Sequence, residues 1–144
     1  MGSDPSELRS EVGSAFFDRF SELTPVQKTV IPQVLAGLDV VVVSGTGTGK
    51  TEAVVAPLIQ RHVDLSSAVA KPSILYIVPT KALANDLRRR LSPRLARLGL
   101  GLGLRHGDET TGLSSGRCDV LVTTPESFDV LTTRTDECLA GIKA

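Results

Sequence analysis

Apolar positions along the 144-residue chain follow two patterns that alternate from one end to the other. In some stretches apolar residues recur three or four positions apart, which is the spacing of an amphipathic helix. Between these stretches lie short uninterrupted apolar runs, which are typical of strands buried on both faces of a parallel sheet. Strands that alternate with helices predict an α/β fold in which helices cover a mainly parallel sheet.

Capping residues mark the predicted helix boundaries. The first helical stretch covers residues 8–20 and places apolar residues at i, i+4 and i+8 on one face. A second helix begins after Thr24, a favourable N-cap, with Pro25 at its first position. It ends at Gly37, and Pro32 inside it predicts a kink.

Each predicted strand is followed by a short segment rich in polar residues, glycine or proline. After the second strand we predict a helix with Leu83, Leu87 and Leu91 on one stripe, restarted at residues 92–93 and stopped by Gly99. Ligands of parallel sheets bind beyond the carboxyl ends of strands, which is where "SGTGTGKT", "PTKA", "RHGD" and "TTPES" fall. The four predicted strands cover residues 40–43, 74–78, 101–105 and 120–123.

Composition excludes several classes of protein. Apolar residues make up 41% of the chain, but no apolar run approaches the roughly 20 residues of a membrane helix, so we expect no membrane contact. Aromatic residues are only 3%, so nucleic-acid binding would use the sugar-phosphate backbone and not base stacking. Cys118 and Cys138, with His62 and His106, do not have the spacing of a zinc site. We expect reduced thiols and a cytoplasmic protein.

The segment "SGTGTGKT" has the properties of a phosphate-binding loop. It matches the end of the pattern G-x-x-x-x-G-K-[ST], with Ser44 at the position of the first glycine. Alternating glycines let backbone N–H groups surround an anion, and the following helix adds partial positive charge. An ordinary turn with an exposed lysine is the alternative. The candidate nucleotide-binding residues are Ser44, Gly45, Thr46, Gly47, Thr48, Gly49, Lys50, Thr51 and Glu52.

Two residues of this loop are the candidate catalytic residues. Lys50 is long enough to reach the β- and γ-phosphates of a nucleotide. The Thr51 hydroxyl is a candidate ligand of Mg²⁺, which prefers oxygen ligands.

The segments around the loop narrow the class of protein. "LTPVQKTVIPQVLAGLDVVVVSGTGTGKTEA" resembles the Q motif and motif I of superfamily 2 helicases of the DEAD/DEAH-like group. "VPTKALANDL" resembles their motif Ia, "VTTPESF" resembles motif Ib, and "RHGDE" occupies the place of a glycine-containing loop. These motifs occur in the family's order over residues 16–131, and their details are most similar to the large helicase-related, DEVH-type branch.

The resemblance implies the first RecA-like domain of an ATP-dependent nucleic-acid helicase or translocase, with ATP and Mg²⁺ as cofactors. A helical lead-in would cover residues 1–23 and the partial RecA-like P-loop domain residues 24–144. A second RecA-like domain of the same parent chain would close over the ATP. The residues implied to contact nucleic acid are Pro79, Thr80, Lys81, Gly107, Asp108, Thr124, Pro125 and Glu126.

Gln27 has two interpretations. It lies three residues after Thr24, so the pair forms a capping box in which the Gln27 side chain accepts from the Thr24 N–H. Alternatively its amide pairs with N6 and N7 of adenine, which guanine would not match. Spacing alone does not separate the two, and the resemblance favours adenine recognition.

The acids that ATP hydrolysis needs are not found at the end of any predicted strand. Hydrolysis requires one acid for Mg²⁺ and one for the attacking water, usually supplied by an apolar strand that ends in Asp-Glu. By resemblance that motif II would begin just after Ala144. We therefore expect a fragment that binds ATP without hydrolysing it. Its first strand would lack neighbours, leaving an apolar sheet edge that favours self-association.

The alternatives to a helicase are another P-loop protein, such as a GTPase, a kinase or another ATP-binding protein, and a non-enzymatic nucleic-acid-binding module. A phosphate-loop GTPase needs an Asn-Lys-x-Asp motif, but Asn85 is followed by Asp86. A non-enzymatic module could use the glycine loop to bind nucleic-acid phosphate. The five arginines of residues 88–97 are either a solvated face or the rim of a nucleic-acid track.

Overall fold

The structure is a computed structural model that describes residues 7–66, 71–106, 109–111, 117–133 and 137–144. For residues 109–111 and 137–138 it describes the backbone alone. The chain divides into two compact units, Met1–Val63 and Asp64–Ala144.

The first unit contains helices α1 (Ser10–Phe17), α2 (Pro25–Leu35) and α3 (Lys50–His62). The glycine stop after α2 is confirmed, since Gly37 has φ +85°. The first helix is shorter than the predicted residues 8–20, because α1 ends at Phe17 and leaves Phe20 outside it and 57% exposed. The helices α2 and α3 pack through a cluster of apolar side chains. The buried members are Val30, Val34 and Ala53, and Val26, Val40, Val42, Val54 and Leu58 pack against them.

The strand predicted at residues 40–43 was wrong. Residues 38–45 belong to no helix or strand of the described structure. Val40 and Val42 pack on the α2–α3 cluster, whereas Val41 and Val43 are 93% and 90% exposed. The segment therefore has the in-out alternation of a strand. A strand also needs a hydrogen-bonded neighbour, and the described part of this unit contains helices only.

The second unit contains a four-stranded sheet. Its strands are β1 (Ile74–Ile77), β2 (Leu102–His106), β3 (Glu109–Thr111) and β4 (Val120–Thr123), in the order β1-β4-β2-β3. The first three strands in this order are parallel, as predicted, and β3 pairs antiparallel with β2. All four residues of the central strand β4 are buried, which explains its uninterrupted apolar pattern. β3 was not predicted.

Three helical segments accompany this sheet: α4 (Lys81–Arg97), α5 (Pro125–Thr133) and the 3₁₀ helix Glu137–Gly141. The restart predicted at residues 92–93 was wrong, because α4 continues through Pro93 without a break. Leu83 was also assigned wrongly to the buried stripe, since it is 49% exposed. The buried face begins one residue later, at Ala84, and its members are three or four residues apart. Its members are Ala84, Leu87, Leu91 and Leu95.

A buried carboxylate joins the amino ends of two strands. Asp119, which is fully buried, accepts hydrogen bonds through Oδ2 from the Gly101 N–H at 2.9 Å and from Nε of Arg117 at 2.8 Å. Arg117 also donates to the backbone carbonyl of Asp64. A Cβ at Gly101 would overlap the Arg117 carbonyl oxygen, so only glycine fits there. These contacts connect the residue before β4 to the residue before β2.

Among the residues that the structure describes, no helix is long and apolar enough to cross a membrane.

Candidate functional site

The glycine-rich loop leads directly into α3. Gly47 and Gly49 have φ values of +72° and +81°, in the left-handed region that side chains other than glycine rarely adopt. Gly49 is the residue before the first helical residue, Lys50, so the sharp turn lies at the N-terminus of the helix. Backbone N–H groups at a helix N-terminus attract anions. The two positive φ values agree with a turn that requires glycine, and phosphate binding by the loop stays a prediction.

Side chains of the loop bind its own backbone. Lys50 donates through Nζ to the carbonyls of Ser44 at 2.7 Å and Gly45 at 2.5 Å. Thr48 Oγ1 donates to the Gly45 carbonyl at 3.0 Å and lies 2.7 Å from the Ser44 hydroxyl. Ser44 therefore makes a contact that glycine could not make. The Lys50 ammonium lies over the loop carbonyls, and an anionic phosphate group would compete with them for it.

The capping box predicted at the start of α2 is present. Gln27 Oε1 accepts from the Thr24 N–H at 2.9 Å, and Thr24 Oγ1 accepts from the Gln27 N–H at 3.3 Å. The same two residues also contact the glycine loop. Thr24 Oγ1 donates to the Thr48 carbonyl at 2.9 Å, and Gln27 Nε2 donates to the Gly49 carbonyl at 3.4 Å. The start of α2 is thus joined to the glycine loop by two side chains.

The contact between Thr24 and the loop was missed at the sequence level. Thr24 was assigned only as an N-cap, and no local pattern indicates that its hydroxyl reaches residue 48. Both ends of the Gln27 amide are engaged within the protein, which supports the capping interpretation of this residue. The adenine interpretation stays a prediction, because the same amide would have to exchange these partners for a base.

A cavity of about 660 Å³ lies between α1 and α2, within the range of roughly 300–1,000 Å³ that small-molecule sites have. Phe17, Phe20, Gln27 and Lys28 are among the residues that line it. Phe20 is 57% exposed, whereas Phe16 is buried in the core. Of the three neighbouring phenylalanines, Phe17 and Phe20 line this cavity together with Gln27, which is itself 4% exposed.

The segments "PTKA" and "TTPES" lie side by side in the second unit. They follow β1 and β4, which pair in parallel with Ile77 opposite Thr123. Each segment leads into a helix, so the N-termini of α4 and α5 occur at the same edge of the sheet. Backbone N–H groups at two adjacent helix starts form a surface that suits the phosphates of a nucleic-acid strand.

The side chains of these two segments differ in exposure. Pro79, Thr80 and Lys81 are exposed, and the Thr80 hydroxyl accepts from the Leu83 N–H at 3.2 Å as an N-cap. Thr124 is buried, and its hydroxyl donates to Ser127 Oγ at 3.2 Å. The neighbouring residues Pro125 and Glu126 are exposed.

The remaining candidates are less informative. Glu52 is buried on α3, whereas Thr51 is half-buried at the start of the same helix. Gly107 and Asp108 lie outside the described residues. Within the described part of the chain, no group of three or more His, Cys, Asp or Glu residues could hold a metal ion.

Known proteins that are similar to this chain include two curated helicases and one solved helicase structure. The chain is 32% identical over 135 residues to the ATP-dependent helicase Lhr-Core of Sulfolobus acidocaldarius, with 83% of this chain and 15% of the relative covered. It is 36% identical over 114 residues to the DEAD-box ATP-dependent RNA helicase 26 of Oryza sativa subsp. japonica, with 74% of this chain and 21% of the relative covered. The structure resembles Mycobacterium smegmatis helicase Lhr bound to ssDNA and AMP-PNP, with a TM-score of 0.78, 28% identity and 97% of this chain and 20% of that chain covered.

The chain therefore spans between 15% and 21% of the length of these relatives. The structural likeness confirms the RecA-like α/β fold predicted from the sequence. A family model described as DEAD/DEAH box helicase matches residues 24–143. Because this match covers most of the 144 residues, the chain belongs to the DEAD/DEAH box helicase family.

Proposed function

We propose that this chain is the ATP-binding part of an ATP-dependent nucleic-acid helicase or translocase. The observation that carries the proposal is the junction between the start of α2 and the glycine loop, where Thr24 donates to the Thr48 carbonyl. This junction brings a candidate base-recognition residue, Gln27, next to a candidate phosphate-binding residue, Gly49. Membership of the helicase family supports the same assignment.

Each group would have a defined task when ATP is bound. The N–H groups of the glycine loop and the Lys50 ammonium would bind the phosphates, and the Gln27 amide would bind the adenine edge within the cavity lined by Phe17 and Phe20. Thr51 would supply one hydroxyl oxygen to Mg²⁺, and the nucleotide phosphates would supply others. Because the protein would supply only one hydroxyl ligand, the Mg²⁺ ion would bind together with the nucleotide and not to the protein alone.

Nucleic acid is the proposed second ligand. The paired helix starts that follow β1 and β4, with Lys81 exposed beside them, suit contact with a sugar-phosphate backbone. One solved relative is bound to ssDNA and AMP-PNP, which supports binding of both ligand classes. The proposed boundary between the helical lead-in, residues 1–23, and the partial RecA-like domain, residues 24–144, lies just before Thr24. A cytoplasmic location stays a prediction.

Two protein partners are part of the proposal. A second RecA-like domain of the parent chain would complete the ATP site and supply groups for hydrolysis. This chain by itself would bind ATP without turnover, because none of its apolar strands ends in Asp-Glu. A second copy of this chain would pair with the segment that carries Val41 and Val43, whose side chains are exposed.

Calorimetric titration of ATP and GTP with Mg²⁺ tests the nucleotide site. We expect ATP to bind more tightly than GTP, Lys50→Ala to abolish binding of both, and Gln27→Ala to equalise the two affinities. Equal binding of ATP and GTP, unchanged by Gln27→Ala, would reduce Gln27 to a helix cap and favour a different phosphate-loop protein. Nucleic-acid affinity that ignores ATP would favour a non-enzymatic binding module.

A further inference from the structure

One glycine lies inside a helix where neither the backbone nor the packing requires glycine. Among the described residues, Gly13 is the only glycine within an α-helix, and it lies near the middle of α1. Its N–H donates to the Arg9 carbonyl at 2.9 Å, and its φ is not in the left-handed region. A Cβ there would meet no described atom within 4 Å. Glycine in a helix interior is less stable than alanine, so folding does not explain Gly13.

Gly13 lies on the wall of the cavity between α1 and α2. On each helix the lining residues occur as two neighbouring pairs one turn apart, so each helix turns a single face toward the cavity. The α1 residues are Gly13, Ser14, Phe17 and Asp18, and the α2 residues are Gln27, Lys28, Ile31 and Pro32. Gly13 and Gln27 therefore lie on facing walls, and Gly13 is the position of the α1 wall that contributes no side chain.

Much of the cavity surface is apolar. Phe20, which is 57% exposed, lines the cavity together with Phe17, Leu23 and Ile31. An exposed aromatic side chain is stabilised when an apolar group covers it, because apolar surface is removed from water. The charged lining residues are exposed and keep their charges hydrated. They are Glu7, Asp18 and Lys28.

The cavity is larger than an adenine base requires. A base of about ten non-hydrogen atoms needs about 300 Å³, if each atom takes the roughly 30 Å³ that a water molecule occupies in the liquid. That is less than half of the cavity of about 660 Å³. Residues 44–52 of the glycine loop do not line the cavity, so the ribose that joins the base to phosphates at the loop would lead out of it. A bound base would therefore leave space beside it.

We propose that Gly13 is a specificity-determining residue, which keeps the cavity open for an apolar substituent on N6 of an adenine nucleotide. This inference rests on the proposed function, in which the Gln27 amide binds the N6 and N7 edge of the base. A singly substituted N6 amine keeps one N–H for Gln27, and its substituent points away from that amide. Because Gln27 lies on the α2 wall, this direction leads toward the α1 wall, where Gly13 leaves space.

The test compares three nucleotides that differ only at N6. Calorimetric titration with Mg²⁺ would measure the affinities of ATP, N6-methyl-ATP and N6-benzyl-ATP. At the same volume per atom, the benzyl-substituted base needs about 510 Å³ and fits the cavity. The variant Gly13→Phe removes about 210 Å³, which leaves enough space for adenine but too little for the benzyl group. The control is Ser10→Phe, which adds the same side chain to α1 at an exposed position that does not line the cavity.

The expected result is specific to the size of the substituent. The wild type should bind N6-benzyl-ATP within about threefold of ATP, because apolar contacts of the benzyl group offset the cost of ordering it. Gly13→Phe should bind N6-benzyl-ATP roughly tenfold more weakly, with its affinities for ATP and N6-methyl-ATP unchanged. Ser10→Phe should behave like the wild type. Urea unfolding of Gly13→Phe should show no loss of stability, because phenylalanine has the higher helix propensity.

Other outcomes overturn the proposal and separate it from the proposed function. If the wild type binds ATP but rejects N6-benzyl-ATP, the space beside Gly13 does not receive the substituent, while the ATP site stands. Equal losses in Gly13→Phe and Ser10→Phe, or equal losses for all three nucleotides in Gly13→Phe, would also contradict a role in specificity. If the wild type binds none of the nucleotides, the proposed function fails together with this inference.

A second variant covers the case in which Gly13→Phe does not fold. Gly13→Leu adds a smaller side chain at the same position and should weaken N6-benzyl-ATP binding in the same direction but by less, without affecting ATP. Equal affinities of this variant and the wild type for N6-benzyl-ATP would then overturn the proposal.

Discussion

The hydroxyl of Thr24 donates to the carbonyl of Thr48 at 2.9 Å while accepting the N–H of Gln27 at 3.3 Å. One hydroxyl thus caps α2 and contacts the glycine loop. A change in the position of the loop would therefore shift the start of α2, where Gln27 lines the cavity. Base recognition and phosphate binding are therefore expected to depend on the same contact.

Replacing Thr24 with valine should reduce both stability and ATP affinity. The variant loses the helix cap, which is worth about 1–2 kcal/mol, together with the hydrogen bond to the Thr48 carbonyl. Thr24→Ser keeps the hydroxyl and should behave like the wild type. Urea unfolding and ATP titration would measure the two effects.

The matched control for this prediction is Thr29→Val on the same helix. The Thr29 hydroxyl donates to the Pro25 carbonyl at 3.0 Å, but the side chain is exposed and bonds within α2. We expect this control to keep its ATP affinity. Equal losses of affinity in Thr24→Val and Thr29→Val would show that the contact with the loop has no role.

Gly49→Ala should destabilise the loop for two separable reasons. Gly49 has φ +81°, which costs a residue with a side chain about 1–2 kcal/mol, and a Cβ there would overlap the amide of Gln27. The double variant Gly49→Ala/Gln27→Ala should recover only the part of the lost stability that comes from the overlap with the Gln27 amide. Gly13→Ala is the control: its Cβ would meet nothing within 4 Å, so it should stabilise α1 by about 0.5–1 kcal/mol. A neutral Gly49→Ala in thermal unfolding would refute this geometry.

Local signals in the sequence predicted the parts of the fold that local forces determine. The Thr24 cap, the glycine stops and the buried run of β4 each depend on residues within one element. The strand at residues 40–43 failed because pairing is a property of two segments, and four consecutive valines carry no information about a neighbour. The three-residue strand β3, Glu109–Thr111, has no apolar pattern to detect.

In the candidate site, too, features within one segment were predicted and a contact between two segments was not. The spacing of Thr24 and Gln27 predicted the capping box, and the glycine pattern predicted the loop. Neither pattern predicted that the two would be joined, since that contact links residues 24 positions apart. The two interpretations of Gln27 could not be separated by spacing because one amide serves both the cap and the loop in the folded chain.

Asp119→Ala should cost more stability than any exposed acid. The side chains of Asp119 and Arg117 are 0% and 10% exposed, and removing one partner of a buried pair costs about 3–5 kcal/mol. Asp86→Ala is the control, because its ion pair with Arg89 is exposed and should contribute less than about 1 kcal/mol. Urea unfolding of both variants would give the comparison. Similar small losses would mean that the Asp119 contacts do not hold the two strands together.

Self-association should depend on the outward-facing residues of the segment before the loop. Val41 and Val43 are 93% and 90% exposed, whereas Val40 and Val42 pack on the α2–α3 cluster. We expect the wild type to associate at micromolar concentration, and Val41→Lys/Val43→Lys to be a monomer of unchanged stability, because lysines on an edge oppose strand pairing. Light scattering would measure the mass of each.

The control for this prediction has the same charge at the alternate positions. Val40→Lys/Val42→Lys should lower the free energy of unfolding, because it replaces apolar contacts with Val30, Val34 and Ala53. If that variant is as stable as the wild type, the segment has no preferred face and the alternation seen here is wrong. A monomeric wild type would contradict the proposed pairing, since exposed valines on an extended segment would then have no partner of the same chain.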